Sequence, residues 1–192
     1  MGAKKKNKDI DNPKSRIMET ALRLFYTQGY NNTGINQILE ESKTFKLSFY
    51  NYFSSKENLG IEYIKLREKT FLQLMKRIMK KHPEYHKFVK IWILVLKKEI
   101  FHQKYKGCPF INITLQTFDK EEVFKPHIKS MIAKWKKLLS NYFENEQNLS
   151  KELADKKAGL FLKVFEGTIQ LYMATGNYDY IQNLEEDLIS IL

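Results

Sequence analysis

Arg16-Ile17-Met18-Glu19-Thr20-Ala21-Leu22-Arg23-Leu24-Phe25, then Gly29-Tyr30, Thr33-Gly34-Ile35 and Phe49-Tyr50-Asn51-Tyr52-Phe53-Ser54-Ser55-Lys56-Glu57, decide how this chain folds. Ile17, Ala21, Leu24 and Phe25 stand at i, i+4, i+7 and i+8, which is one apolar stripe on a helix. Gly29 supplies the backbone freedom that ends it. Thr33 is the expected N-cap of a second helix, with Ile35, Ile38, Leu39 and Ser42 on its inner side. A turn at 43–45 leads into a short third helix that buries Phe49 and Phe53. Three short helices with a tight turn between the last two describe a helix-turn-helix module.

In order and spacing, this segment resembles the N-terminal DNA-binding domain of the tetracycline-repressor (TetR/AcrR) family of transcriptional regulators. The resemblance covers roughly the first third of the chain. It departs at the turn, where Lys43 replaces the usual glycine and Phe45 the usual serine cap: either the turn is strained or its backbone differs slightly, with Thr44 taking over the capping. A lysine held in the left-handed region costs about 1 kcal/mol or more. Leu47 stands where the family has a small residue, and faces either DNA or a neighbouring helix. By resemblance, Thr33, Tyr50 and Lys56 match positions that hold phosphates, fixing register without reading sequence. Lys46, Ser48 and Asn51 face outward on the third helix, where Asn suits adenine and Lys suits guanine. Tyr52 is expected to join Phe53 and Phe25 in the core.

The rest of the chain reads as further helices. Aromatic residues are plentiful, glycine and proline are few, and apolar positions recur with helical spacing, so an all-α protein is expected. A fourth helix from near Ser55 to about Lys80 carries Ile61, Ile64, Phe71, Leu72, Met75, Ile78 and Met79. Pro83 interrupts it. A fifth helix follows with Glu84 in its first turn and an unusually broad apolar surface of Phe88, Ile91, Trp92, Val95, Leu96 and Ile100. Gly107-Cys108-Pro109 breaks the chain before a short helix from Phe110 to Phe118. The string Gly107 to Gln116 resembles a segment in one branch of the family's ligand-binding domains. A seventh helix spans about Glu121 to Phe143, with Pro126 near its start. Ser150 caps an eighth, about Lys151 to Thr175. Gly176-Asn177 ends that helix, and Ile181, Leu184, Leu188 and Ile191 stripe a ninth.

The expected organisation is a flexible basic arm at 1–12, a helix-turn-helix domain at 13–57, and an effector-binding and dimerisation domain at 58–192. The resemblance implies a homodimer whose last two long helices pair with their copies through Phe161, Phe165, Ile169, Tyr172, Ile181, Leu184 and Leu188. The alternative is that these stripes only complete each chain's own core. A dimer would also let two recognition helices span two half-sites of double-stranded operator DNA. An effector site is expected among helices four to eight. Its candidate lining is Phe71, Met75, Phe88, Trp92, Phe110, Phe118, Trp135, Phe161 and Phe165, which would suit an apolar or aromatic small molecule.

Charge and composition bound the alternatives. The net charge of +11 fits a polyanionic partner, but the excess lies mostly after the helix-turn-helix, where residues 61–106 hold 13 Lys/Arg against 4 Asp/Glu. Lys4, Lys5, Lys6 and Lys8 form a basic arm able to lie along phosphates, or simply a solvated tail. No signal-like N-terminus and no membrane-length apolar run is present, and the single cysteine, Cys108, fits a reducing cytoplasm. Cys108 lies near Lys104 and Lys106 at a helix start, which would suit a redox or electrophile sensor. Burial as a small apolar side chain is the plainer reading. His82 and His86 flank Pro83 without metal-protease spacing. No phosphate loop or nucleophile elbow appears, so neither an enzyme nor a bound cofactor or metal is expected. A helical adaptor that binds only protein is the remaining class. The expected function is a ligand-responsive repressor.

Overall fold

The computed structural model describes residues 12–192, so the basic arm, with Lys4, Lys5, Lys6 and Lys8, lies outside the described residues. Those residues form nine α-helices, a single 3₁₀ turn and no strand. The helices are α1 (Pro13–Thr27), α2 (Ile35–Ser42), α3 (Lys46–Tyr52), α4 (Lys56–Lys81), α5 (Tyr85–Phe101), α6 (Pro109–Leu115), α7 (Glu121–Glu146), α8 (Lys151–Thr175) and α9 (Asp179–Ile189). The 3₁₀ turn, Phe118–Lys120, lies between α6 and α7.

The chain divides into two compact units. One comprises the residues up to Leu66 together with Asn112–His127, and the other comprises Arg67–Ile111 and Ile128–Leu192. The expected boundary at residue 57 falls inside α4, whose first turns belong to the first unit. That unit also takes in a segment distant in sequence, because Phe124 packs edge-on against Tyr30 with ring centroids 5.2 Å apart. Gly60 makes room for this contact: a Cβ there would meet Phe124 Cε1 at 2.9 Å and Tyr30 Cε2 at 3.0 Å. Gln116 completes the join by accepting from the Asn31 backbone N–H at 3.2 Å.

In this first unit, Ile17, Ala21, Leu24 and Phe25 of α1 are buried as their spacing predicts, together with Ile38, Phe49 and Phe53. Asn12 caps α1, its Oδ1 accepting from Ser15 N–H at 2.8 Å. The cap expected of Thr33 is absent; Gly34 occupies the N-cap of α2 without a side-chain bond. Lys43 does adopt the left-handed conformation, φ 51° and ψ 48°. Its N–H bonds Glu40 O at 3.1 Å and the Thr44 N–H bonds Leu39 O at 3.0 Å, the paired closure normally built on glycine. Arg16 offsets the strain by donating from Nε to Ser42 O at 3.1 Å, a cation at a helix C-terminus. Thr44 does not cap α3, since its hydroxyl pairs with Ser42 Oγ at 2.6 Å and Phe45 takes the N-cap.

The second unit is organised by aromatic side chains. Phe71 meets Trp92, Phe110 and Trp135 edge-on, and Phe165 packs on both Trp92 and Trp135. Phe88 and Phe161 stack beside them. Ser150 caps α8 and Gly176 ends it with φ 69°, both as the sequence predicts. Phe161, Phe165, Ile169, Ile181, Leu184 and Leu188 are all buried within the single chain. These six therefore complete the monomer's core and cannot form the surface that meets a second copy. Tyr172 alone of the expected set is half-exposed.

Candidate nucleic-acid interface and effector cavity

The short helix α3 is anchored from below by Phe49 and Phe53, whose rings lie 5.8 Å apart and are shielded from solvent. Its other side faces water. Lys46, Tyr50 and Asn51 are exposed there and Ser48 is half-exposed, so four of the expected DNA contacts share one accessible surface. Tyr52 is exposed as well, which corrects the expectation of a core role: Phe53 fills that space and leaves Tyr52 on the rim.

Two other expected phosphate contacts are placed differently. Thr33 is fully buried, its hydroxyl donating to Gly29 O at 2.7 Å and accepting from Gln28 Nε2 at 3.2 Å. It locks the turn between α1 and α2 and has no hydroxyl to offer a phosphate. Lys56, in the first turn of α4, holds its Nζ 4.4 Å from the centroid of the Tyr30 ring. Partial burial, with the nearby charge of Lys120, holds its pKa below the usual lysine range. Ser55 caps this helix, its Oγ accepting from the Asn58 N–H at 3.1 Å. Lys120 pairs with Glu57, tying the 3₁₀ turn to the start of α4.

The second unit holds a cavity of about 140 Å³ lined by Phe71, Trp92, Val95, Leu96, Glu99, Tyr105, Cys108, Pro109, Phe110, Trp135, Phe165 and Glu166. Five of the expected lining residues, Phe71, Trp92, Phe110, Trp135 and Phe165, meet there. Met75, Phe88 and Phe161 do not line it and are plain core. Phe118 is exposed in the 3₁₀ turn of the first unit and takes no part. The residues that periodicity missed include the polar ones, Glu99, Tyr105 and Glu166. They were not legible as lining because an apolar-stripe argument passes over polar side chains.

Glu166 is the chemically distinctive wall. Burial pushes its carboxyl pKa up to about 6, although the Cys108 thiol donates a hydrogen bond to it and pulls the other way. Glu166 Oε2 and the indole N–H groups of Trp92 and Trp135 have no hydrogen-bond partner among the described residues. Cys108 is itself buried, and desolvation together with the adjacent Glu166 charge pushes its thiol well above the ordinary range. A thiol so placed is a poor nucleophile at neutral pH. Among the described residues, no group of three or more His, Cys, Asp or Glu is placed to hold a metal ion.

The raised carboxyl makes a stability prediction. The folded chain binds the Glu166 proton more tightly than the unfolded chain does. Its contribution is therefore full below about pH 4.5 and is lost as pH rises through about 6. That loss amounts to about 2 kcal/mol. Urea unfolding at pH 4.5 and pH 7 is expected to show this component in the wild type and not in Glu166→Gln. An identical pH slope in the variant would contradict the assignment.

Residues 17–63 match the family model described as bacterial regulatory proteins, tetR family. Residues 85–187, more than half of the chain, match the LmrA/YxaF-like transcriptional regulator C-terminal domain. The chain belongs to the TetR family of transcriptional regulators. Among relatives of this TetR-family chain, the HTH-type transcriptional regulator YxaF of Bacillus subtilis is 28% identical over 165 residues, covering 82% of this chain and 83% of that one. An HTH-type regulator encoded in the lacX 3' region of Lactococcus lactis is 23% identical, covering 91% and 90%. In fold, a TetR regulator from Legionella pneumophila superposes with a TM-score of 0.82 at 17% identity, covering 96% of this chain and 99% of its own. One from Cytophaga hutchinsonii gives 0.80 at 19%, covering 97% and 96%. TetR-family regulators are DNA-binding transcription factors rather than enzymes, and they act as homodimers that bind small molecules.

Proposed function

We propose that this TetR-family regulator is a cytoplasmic homodimeric repressor whose α3 reads operator DNA and which leaves the operator when an apolar, aromatic molecule fills the cavity. The observation that carries the DNA reading is the face of α3, where Lys46, Ser48, Tyr50 and Asn51 are accessible while Phe49 and Phe53 fix the helix from beneath. Tyr50 and Lys56 are assigned to phosphates, and Lys46, Ser48 and Asn51 to base edges. Among the described residues no helix is long and apolar enough to cross a membrane, which agrees with a protein acting on DNA in the cytoplasm.

The effector reading rests on the cavity's aromatic walls. A space of about 140 Å³ accommodates roughly a single aromatic ring. Trp92, Trp135 and Glu166 of that lining also carry buried polar atoms that have no hydrogen-bond partner among the described residues. Occupancy would be carried along α4, which begins in the DNA-binding unit and ends in the effector unit. The thiol-sensing alternative through Cys108 is disfavoured by the burial and raised pKa of that thiol.

The second subunit is assigned to the outer face of α8. Leu160, Val164, Gly167 and Leu171 follow at i, i+4, i+7 and i+11, and Leu160 and Leu171 are exposed. A Cβ at Gly167 would meet nothing within 4 Å, so this point is open to the close approach of another helix.

The test is binding to the intergenic DNA beside the protein's own coding region, in a salt series, with wild type and Tyr50→Ala. A sequence-preferring, salt-sensitive complex that weakens on loss of Tyr50 is expected. Equal binding to every sequence, indifferent to Tyr50, would return the protein to a helical adaptor with a basic surface.

A further inference from the structure

Among the described residues, Phe45 and Leu47 are two of the three most exposed large apolar side chains, at 81% and 74%. They are not scattered. Phe45 is the N-cap of α3 and Leu47 lies in its first turn, with exposed Lys46 between them. Phe45 does nothing for the helix end, since its side chain makes no capping bond. Leu47 does not pack into the unit either, because Phe49 and Phe53 already occupy the inner side. Both side chains meet water at the beginning of the helix that the family uses to enter the major groove, and N-terminal residues of such a helix are those that reach base edges.

The best partner in the major groove for an apolar side chain at that position is the thymine C5-methyl. It is the groove's largest apolar feature, since the other base edges present hydrogen-bonding groups or, at cytosine C5, a bare C–H. The patch is continuous with the polar contacts of the same helix, and Lys46 beside it supplies charge complementary to the DNA. We propose that Leu47 and Phe45 read thymine methyl groups, so that each half-site of the operator carries thymines opposite the start of α3. This rests on the proposal that α3 reads DNA, and it adds a specificity element that Lys46 and Asn51 do not supply. It also gives the departure of residues 45 and 47 from the family's usual small or capping residues a function: the exchange trades helix capping for base reading.

The experiment starts with selection of bound duplexes from a random pool by the full-length protein. Failure to enrich any sequence would overturn the DNA reading itself. From an enriched site, duplexes are then made with uracil replacing single thymines, which removes the methyl and keeps the pairing and the O4 acceptor. Wild type is expected to lose about fourfold in affinity for each contacted methyl. The Leu47→Ala/Phe45→Ala variant should bind the thymine site more weakly and be indifferent to the uracil exchange. Because both side chains face water, its helical content and unfolding transition should match wild type. Equal wild-type affinity for thymine and uracil duplexes at every position would overturn the methyl reading while leaving DNA binding intact. A uracil penalty that persists in the double variant would also overturn it, since other residues or the stiffness of the duplex would then be responsible.

Discussion

Leu171→Arg is expected to leave the chain folded and monomeric, and to lower its affinity for a two-half-site operator about 100-fold or more. Leu171 is exposed on the outer face of α8, so the substitution removes little from the chain's own core. In the proposed dimer it would place two guanidinium groups in an apolar seam beside Gly167, where charges desolvated without partners are strongly unfavourable. Each recognition helix would then bind its half-site alone and lose the effective concentration supplied by its twin. Sedimentation and operator titration check the two halves of this expectation. A variant that remains dimeric would move the interface elsewhere. A monomeric variant that keeps full affinity would mean that one α3 suffices.

The second large effect is on stability. Phe49→Ala is expected to destabilise the DNA-binding unit by about 3–5 kcal/mol, because a fully buried aromatic ring leaves a cavity that its surroundings fill only in part. Phe49 is the central support of a seven-residue helix that is too short to hold itself together, and it contacts both Phe53 and Tyr50. Loss of DNA binding should accompany loss of structure. Tyr50→Ala provides the contrast: this exposed side chain should reduce DNA binding with little change in unfolding by urea. If Phe49→Ala kept wild-type stability, α3 would have to be held by contacts other than its inner face.

These two substitutions also show where reading along the chain succeeds and where it stops. The inner positions of α3 and α1 were legible because burial there follows directly from helical spacing within a small module. At Lys43 the sequence left two alternatives, a strained left-handed turn or an altered backbone, and the positive φ of the structure is the first of them. The opposite happened at Thr33. A threonine before a helix reads as a cap or a phosphate contact, yet its hydroxyl is taken by Gly29 O, a carbonyl exposed by the bend of the preceding glycine. Tyr52 likewise had the composition of a core residue and was displaced from the core by its neighbour Phe53.

By itself, the sequence determined the helix count, the cap at Ser150, the stop at Gly176 and the helix-turn-helix module, all of which depend on residues within a turn or two of one another. Only the tertiary structure decided which apolar stripes are core, cavity wall or outer surface. The buried stripe of α8, from Phe161 to Ile169, is covered by α5, α7 and α9 of the same chain, whereas Leu160 and Leu171 stay exposed. Tertiary contacts also set Gln116 and Phe124 against the turn at Asn31 and Tyr30, and Glu166 beside Cys108. The physical reason is that burial and desolvation depend on segments far apart in the chain, whereas periodicity reports only that a face is apolar and not what will cover it.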